Sequence, residues 1–315
     1  MKFRTEIQVN PFPFSIDHNS SIVLMGSCFT SNIGDKLKRS GFQTMSNPFG
    51  ITFNPISLAD QVSKIRRGYI YSEKDLVEFQ NQYLSFDHHS SFNNQDSTLA
   101  LEAINNSIEI AREKLKVAHT LFISLGSAWV WERKENEAIV NNCHKIPAGE
   151  FNKKVLTDSE ISNTLDSMMK ELMLIVPNLN VVFTLSPIRH WRHGAVENMY
   201  SKSLLHSAIQ DIVSKNTMAH YFPSYEIMMD DLRDYRFYAD DMLHPSEKAI
   251  DYIWEKFGDG FFSTETKEAV QLVNKVRAMQ NHRLKSKDEE ALVKFNLKLS
   301  SRIQELENVY GVKLK

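Results

Sequence analysis

The chain has 315 residues, 42% of them hydrophobic and 24% charged, and its 37 Lys and Arg nearly balance its 39 Asp and Glu. This composition is typical of a globular protein and excludes disordered and collagenous chains. The balanced charge, with no long basic run, argues against nucleic acid or an anionic membrane as a partner. No segment approaches the roughly 20 apolar residues of a membrane span, and none resembles a signal peptide, so we expect a cytoplasmic protein.

Predicted strands and helices alternate along most of the chain. The predicted strands are Ser21–Met25, the run HTLFISLG ending at Gly126, Leu179–Leu185 and Ala219–Phe222, with a hairpin formed by Trp129–Arg133 and Glu137–Asn141. The predicted helices are Ser31–Arg39, Ile56–Arg67, Leu99–Val117, Asp158–Ile175, Tyr200–Lys215 and Pro245–Phe257, the last with proline in its first turn. Residues 45–55 are predicted to be an ordered loop, and residues 68–96 receive no assignment.

The β-then-α order predicts an α/β fold, with a mostly parallel sheet covered by helices on both faces, because parallel neighbours need crossover connections. From residue 263 the chain becomes rich in Lys and Glu, with apolar residues at helical spacing. We therefore divide it into a domain at 1–262 and a two-helix extension at 263–315. These helices have three alternative placements: on the same domain, against a second subunit in a homo-oligomer, or as a small lobe.

Three predicted strands end on small or polar residues, at positions 26–27, 126–127 and 186–187. The carboxyl ends of parallel strands face the ligand crevice of such a sheet. Ser27 is the candidate nucleophile, since a hydroxyl on the turn before a helix lies near N–H groups that can hold an oxyanion. Two alternatives stay open: Ser27 is simply the helix N-cap, or the thiol of Cys28 is the nucleophile.

A second motif, YADDMLHPSEKA, places Asp241 three residues before His244. At this spacing a carboxylate can orient an imidazole and leave its other nitrogen free to deprotonate a serine. Asp240 competes with Asp241 for this role, and a helix-capping Asp beside a surface His is the alternative. The chain order Ser, Asp, His is also that of one type of flavodoxin-like hydrolase.

The motif from Gly26 to Thr30, GSCFT, resembles the GSCFA signature, with threonine in place of alanine. The resemblance runs from about residue 3 to residue 262 and includes NPFGITFNP, LGSAWVWE, NCHKIP, SPIRH and DMLHPS. The family that the sequence resembles is the GSCFA-domain family, a bacterial group related to SGNH/GDSL esterases and lipases. The resemblance implies a three-layer αβα sandwich, with Ser27 as nucleophile and Asp241 and His244 as its partners.

SGNH enzymes also use a glycine and an asparagine as oxyanion donors. The resemblance places the glycine at Gly50, although a plain turn glycine is an equal alternative. Where the asparagine is expected this chain has Ser127, so the donor is Ser127, a residue from elsewhere such as Asn142, or absent. One missing donor costs on the order of 3 kcal/mol of transition-state stabilisation.

Two further polar residues are candidates for the site. His144 follows the predicted hairpin, where a surface or capping role is the alternative, and Arg189 follows a buried strand, where a guanidinium can bind a carboxylate or phosphate. A structural ion pair is the alternative for Arg189. We expect no metal, because Cys28 and Cys143 lack metal-ligand spacing. The thiols of these two cysteines are expected to be reduced. We also expect no cofactor.

These residues together predict a serine esterase that cleaves a carboxylic ester on a small molecule or carbohydrate, such as an O-acetyl group. Acyl transfer by the same residues is one rival. The other is a binding or scaffold protein on a hydrolase fold that has lost its activity, and the missing asparagine favours it.

Overall fold

The computed structural model describes residues 4–281 and 289–314 and arranges them around a central sheet. The strands are β1 (Ile22–Gly26), β2 (Thr44–Ser46), β3 (Val77–Phe79), β4 (Gln82–Leu84), β5 (Thr120–Leu125), β6 (Trp129–Arg133), β7 (Ile139–Val140), β8 (Phe151–Val155), β9 (Asn180–Leu185) and β10 (Ala219–Tyr221). The helices are α1 (Cys28–Arg39), α2 (Pro55–Arg67), α3 (Ser97–Lys116), α4 (Asp158–Ile175), α5 (Gly194–Lys215), α6 (Ser224–Glu226), α7 (Glu247–Phe261), α8 (Thr264–Asn281) and α9 (Glu289–Tyr310).

Five parallel strands form the central sheet, in the order β10-β9-β5-β1-β2. Successive side chains of a strand point to opposite faces, and both faces of this sheet are buried. Val23 and Met25 pack with residues of α2, α3, α4 and α5, whereas Ile22 and Leu24 pack with residues of α1 and α7. The predicted α/β class and three-layer sandwich are therefore confirmed.

Two small antiparallel sheets lie outside the central one. β3 and β4 form a hairpin within residues 68–96, and β8 pairs with β6, which also pairs with β7. The hairpin of β6 and β7 confirms the predicted one in shorter form. β8 was not predicted, because most of its side chains are exposed and it has no apolar run.

Several predicted boundaries are corrected by the structure. Residues 45–55 are not entirely loop, because Thr44–Ser46 forms the edge strand β2 beside β1. α1 begins at Cys28, three residues earlier than predicted, and α5 begins at Gly194. Pro245 is not in the first turn of α7, since Ser246 caps that helix through its side chain and Pro245 precedes the cap.

The two predicted C-terminal helices are confirmed as α8 and α9. They share a buried cluster of Val273, Val276, Leu306 and Val312, while Val270 of α8 joins the core beneath α7. The tail thus packs on the same chain, and the division at residue 262 stays a prediction. Across residues 4–281 and 289–314, no helix combines the length and the apolar character that crossing a bilayer requires.

Candidate active site

The turn after β1 is held tightly against the neighbouring strand β5. Gly26 has φ +129°, and a Cβ atom there would lie 2.2 Å from the carbonyl oxygen of Ser124. Its N–H donates to Oδ1 of Asn47 at 2.8 Å. Only glycine fits this close approach without strain, so Gly26 sets the direction in which the chain leaves the sheet.

Ser27 is fully buried at the end of this turn. Its Oγ lies 2.8 Å from Oγ of Ser124 and accepts the N–H of Phe29 at 3.2 Å, while its own N–H donates to the Ser124 carbonyl. The N-cap alternative is thus present in the structure. A nucleophile on this turn would need an accessible hydroxyl, whereas that of Ser27 is held beside β5.

Cys28, the first residue of α1, is only partly buried, and its thiol is free. Partial burial raises the pKa of this thiol above its ordinary value. Cys143 is also free, and burial raises its pKa to about 11. Of the two side chains on the turn, the thiol of Cys28 is therefore the more accessible and starts from the protonated form.

Asp241 and His244 form the contact that their spacing predicted. Nδ1 of His244 donates to Oδ2 of Asp241 at 2.5 Å, and Oδ1 of Asp241 accepts the N–H groups of His244 and Leu243, each at 2.9 Å. These two backbone donors, followed by the imidazole, lower the pKa of Asp241 to about 2. The loop thus holds an ionised carboxylate against one imidazole nitrogen and leaves Nε2 without a partner among the described residues.

Helices α1 and α7 bring the two motifs to the same end of the sheet. They lie side by side, joined by an ion pair between Lys36 and Asp251. Cys28 is eight residues before Lys36, and His244 is seven residues before Asp251. Cys28 at the start of α1 and His244 just before α7 therefore both precede this ion pair on their own segments.

The residues proposed as oxyanion donors have other hydrogen bonds. The N–H of Gly50 donates to the Asn47 carbonyl at 2.7 Å, as in a plain turn, and a Cβ at Gly50 would lie 2.2 Å from that of His89. Oγ of Ser127 accepts the N–H of Trp129 at 3.0 Å. In this arrangement, the Gly50 N–H is already occupied, and the oxyanion role of both residues stays a prediction.

A cavity of about 450 Å³ opens beside the ends of β5 and β9. Its walls include Ser127, Asn142 and His144 from the predicted set. Nε2 of His144 donates to the Ser85 carbonyl at 2.8 Å, and burial lowers the pKa of this histidine, so its ring is neutral. Oδ1 of Asn142 accepts the His144 N–H and helps to fix the loop.

The segment after β9 connects this cavity to the Asp241 loop. The ring of His190 lines the cavity and lies 6.4 Å from the ring of His244, measured between centroids. Burial, followed by the charge of Lys202, lowers the pKa of His190 to about 4, so this ring is neutral. Arg189, the residue before His190, lines a separate, smaller cleft with Met242 and Leu243.

Sequence reasoning missed three residues that shape this site. Ser124 binds Ser27, Lys202 donates to the Ser186 carbonyl at 2.7 Å while almost fully buried, and Asn198 lines the cavity. Two of them had a signal, since Ser124 interrupts a buried apolar strand and Lys202 lies on the apolar face of the predicted helix, whereas Asn198 precedes the predicted start of that helix. Polar residues in such positions are buried only with a structural or functional reason.

The fold and the site define a three-layer α/β protein with a polar cluster at the carboxyl edge of its sheet. The sequence matches the model of the GSCFA family over residues 21–257. The chain therefore belongs to the GSCFA family, which confirms the resemblance carried by GSCFT and the motifs after it.

Several solved structures are similar to this one at low identity. A carbohydrate esterase family 3 protein from Talaromyces cellulolyticus is 8% identical with a TM-score of 0.37, covering 81% of this chain and 99% of its own. A carbohydrate esterase family 2 enzyme with a carbohydrate binding domain, from Corynascus thermopiles (Myceliophthora fergusii), is 11% identical with a TM-score of 0.39. The match covers 84% of this chain and 69% of that enzyme. The acetyl xylan esterase Est2A from Butyrivibrio proteoclasticus is 9% identical with a TM-score of 0.37. The match covers 82% of this chain and 64% of that esterase. No protein of curated function matches the chain significantly.

Proposed function

We propose that this protein is an SGNH-type hydrolase that cleaves a short acyl ester, such as an O-acetyl group, on a carbohydrate or small metabolite. The observation that carries the proposal is the hydrogen bond from His244 Nδ1 to the ionised Asp241, at the carboxyl edge of the sheet. This bond fixes the tautomer in which Nε2 can accept a proton.

In the proposed reaction, a nucleophile on the turn attacks the ester carbonyl while His244 Nε2 takes its proton. Asp241 stabilises the imidazolium that forms, and the positive end of the α1 dipole stabilises the oxyanion. The imidazolium then gives its proton to the leaving alcohol, and water resolves the acyl-enzyme by the same steps. If a sugar hydroxyl replaces this water, the same residues carry out acyl transfer.

The nucleophile is one of two neighbours. The sequence favours Ser27, but its Oγ is fully buried and shared with Ser124. The geometry favours Cys28, whose thiol is partly exposed and free. Its raised pKa fits a nucleophile that is deprotonated by His244 during the reaction and not beforehand.

The acyl-enzyme itself distinguishes these assignments. We expect p-nitrophenyl acetate to leave one acetyl group on Cys28, detected by peptide mass spectrometry and removed quickly by neutral hydroxylamine, as a thioester is. Cys28→Ala should abolish the label, whereas Ser27→Ala should retain it. Labelling by a fluorophosphonate probe at Ser27 would instead restore the serine assignment and leave the hydrolase proposal standing.

The rival scaffold function makes a different prediction in the same experiment. A folded protein that takes up no acetyl group and hydrolyses neither p-nitrophenyl acetate nor acetylated sugars would contradict the hydrolase proposal. Folding is checked by the melting temperature of each variant. The engaged N–H of Gly50 and the missing asparagine at Ser127 are the features that favour this rival.

A further inference from the structure

The charged side chains that line the cavity beside His190 are all positive among the described residues. Among its described lining residues there are two cations, Arg192 and Lys145, and no Asp or Glu. Neither cation forms an ion pair with a residue in 4–281 or 289–314. A cavity whose only charged side chains are unpaired cations favours an anion over a neutral or cationic ligand.

The two cations are presented by ordered parts of the wall. The guanidinium of Arg192 lies over the ring of Trp131, 5.2 Å from its centroid. Lys145 follows His144 in a loop where both residues have left-handed backbone, with φ of 62° and 49°. That conformation is costly for residues other than glycine, and the anchored imidazole of His144 maintains it.

Positive charge also comes from behind the wall. Lys202 is 1% exposed, and its amino group donates to a carbonyl and has no carboxylate partner among the described residues. Burial lowers its pKa to about 7, so the group is partly charged near neutral pH. The N-terminal end of α5, which carries the positive end of the helix dipole, begins two residues after Arg192. Both features raise the potential on the same side of the cavity.

Three lining residues each have a hydrogen-bond acceptor that pairs with none of the described residues: Oδ1 of Asn198, Oδ1 of Asn141 and Nδ1 of His144. Their orientations follow from their other contacts. Asn198 Nδ2 and Asn141 Nδ2 each donate to a carbonyl at 3.3 Å, and His144 Nε2 donates to a carbonyl at 2.8 Å. Asn198 is only 5% exposed. These acceptors have almost no accessible surface, so a ligand with several donors, such as the hydroxyls of a sugar, would pair with them as the side chains of the wall adjust around it.

We propose that this cavity binds an anionic sugar, a hydroxylated ring carrying a carboxylate or a phosphate, with Arg192 and Lys145 holding the negative group. The apolar face of the ring would lie against the aromatic walls of Phe53, Trp129 and Phe151. Resting on the proposed function, this sugar is the alcohol part of the ester, and His190 connects its cavity to His244.

Binding of unacylated sugars tests this without requiring catalysis. We expect calorimetry to show that glucuronate or phosphorylated glucose binds at least about tenfold more tightly than glucose, since Arg and Lys form charge-assisted hydrogen bonds with an anionic group. Comparing the two anions shows which group the cavity prefers. Arg192→Gln and Lys145→Gln should each remove most of this advantage, whereas the charge-matched Lys298→Gln on exposed α9 should leave it unchanged.

Equal binding of glucose and glucuronate, binding of none of the three sugars, or anion binding that survives both substitutions would overturn the proposal. The failure of the hydrolase function has a different result, in which glucuronate binds through Arg192 but acetylated glucuronate is not hydrolysed. The melting temperature of each variant shows whether it is folded.

Discussion

Two short hydrogen-bonded pairs lie at the carboxyl edge of the sheet, and they differ in what they leave free. Ser27 and Ser124 are both fully buried, and their hydroxyls bind each other across two strands. Asp241 and His244 lie on an exposed loop, and their bond leaves Nε2 of the imidazole open. The first pair thus satisfies both of its hydroxyls inside the protein, while the second keeps an imidazole nitrogen that pairs with none of the described residues.

Removal of the carboxylate from the exposed pair should have the largest effect on activity. We expect Asp241→Asn to lower the esterase kcat by about 10²–10⁴-fold, since an amide no longer stabilises the imidazolium or fixes its tautomer. Steady-state kinetics with p-nitrophenyl acetate measures this loss. The control is Asp240→Asn, one residue away, and an equal loss there would show that Asp240 orients the base.

The buried pair depends on the glycine before it. Gly26→Ala places a Cβ atom 2.2 Å from the Ser124 carbonyl in a residue with φ +129°, so we expect the free energy of unfolding to fall by about 3 kcal/mol or more. Urea denaturation measures this change. Gly149→Ala is the matched control, because no atom lies within 4 Å of its added Cβ. A stable Gly26→Ala protein would show that the turn is not locked against β5.

A smaller effect is expected within the serine pair itself. Ser124→Ala leaves the buried Ser27 hydroxyl without its partner, which should lower the free energy of unfolding by about 1–3 kcal/mol. The double variant with Ser27→Ala should lose less than the sum of the single losses, because no unpaired hydroxyl remains. Strict additivity in urea denaturation would mean that the two hydroxyls contribute independently.

Local features of the site and fold could be predicted from the sequence, and distant pairings could not. Helix α4 was predicted at its observed bounds because its apolar residues recur at helical spacing, and the structure adds a capping box of Thr157 and Glu160 at its start. The contact of Asp241 with His244 was predicted because three residues separate them in one loop. The burial of Ser27 depends on Ser124, which lies 97 residues away on a strand whose register only the folded sheet defines.

The cavity could not be predicted from the sequence either, because it too depends on contacts between distant segments. Its walls come from the ends of β5 and β9, the loop after β7 and the start of α5, which meet only through tertiary packing. The sequence predicted His144 as a site residue because it lies at the end of the predicted hairpin, but nothing in the local pattern showed that Arg192 or Asn198 would share that wall. The charge of the cavity is therefore a property of the fold.

The titration of Asp241 gives the finest test of the exposed pair. Its folded pKa of about 2 lies below the ordinary value near 3.9, so folding favours the ionised form. Any stability from this group is present above about pH 4 and is lost as the pH falls through about 2.

We expect carbon NMR of the Asp241 carboxyl to show a midpoint near pH 2. In His244→Ala the midpoint should rise but stay below the ordinary value, because the backbone N–H groups of residues 243 and 244 are the leading cause of the shift. A return to the ordinary value would instead mean that the imidazole alone holds the carboxylate, and that the loop does not preorganise it.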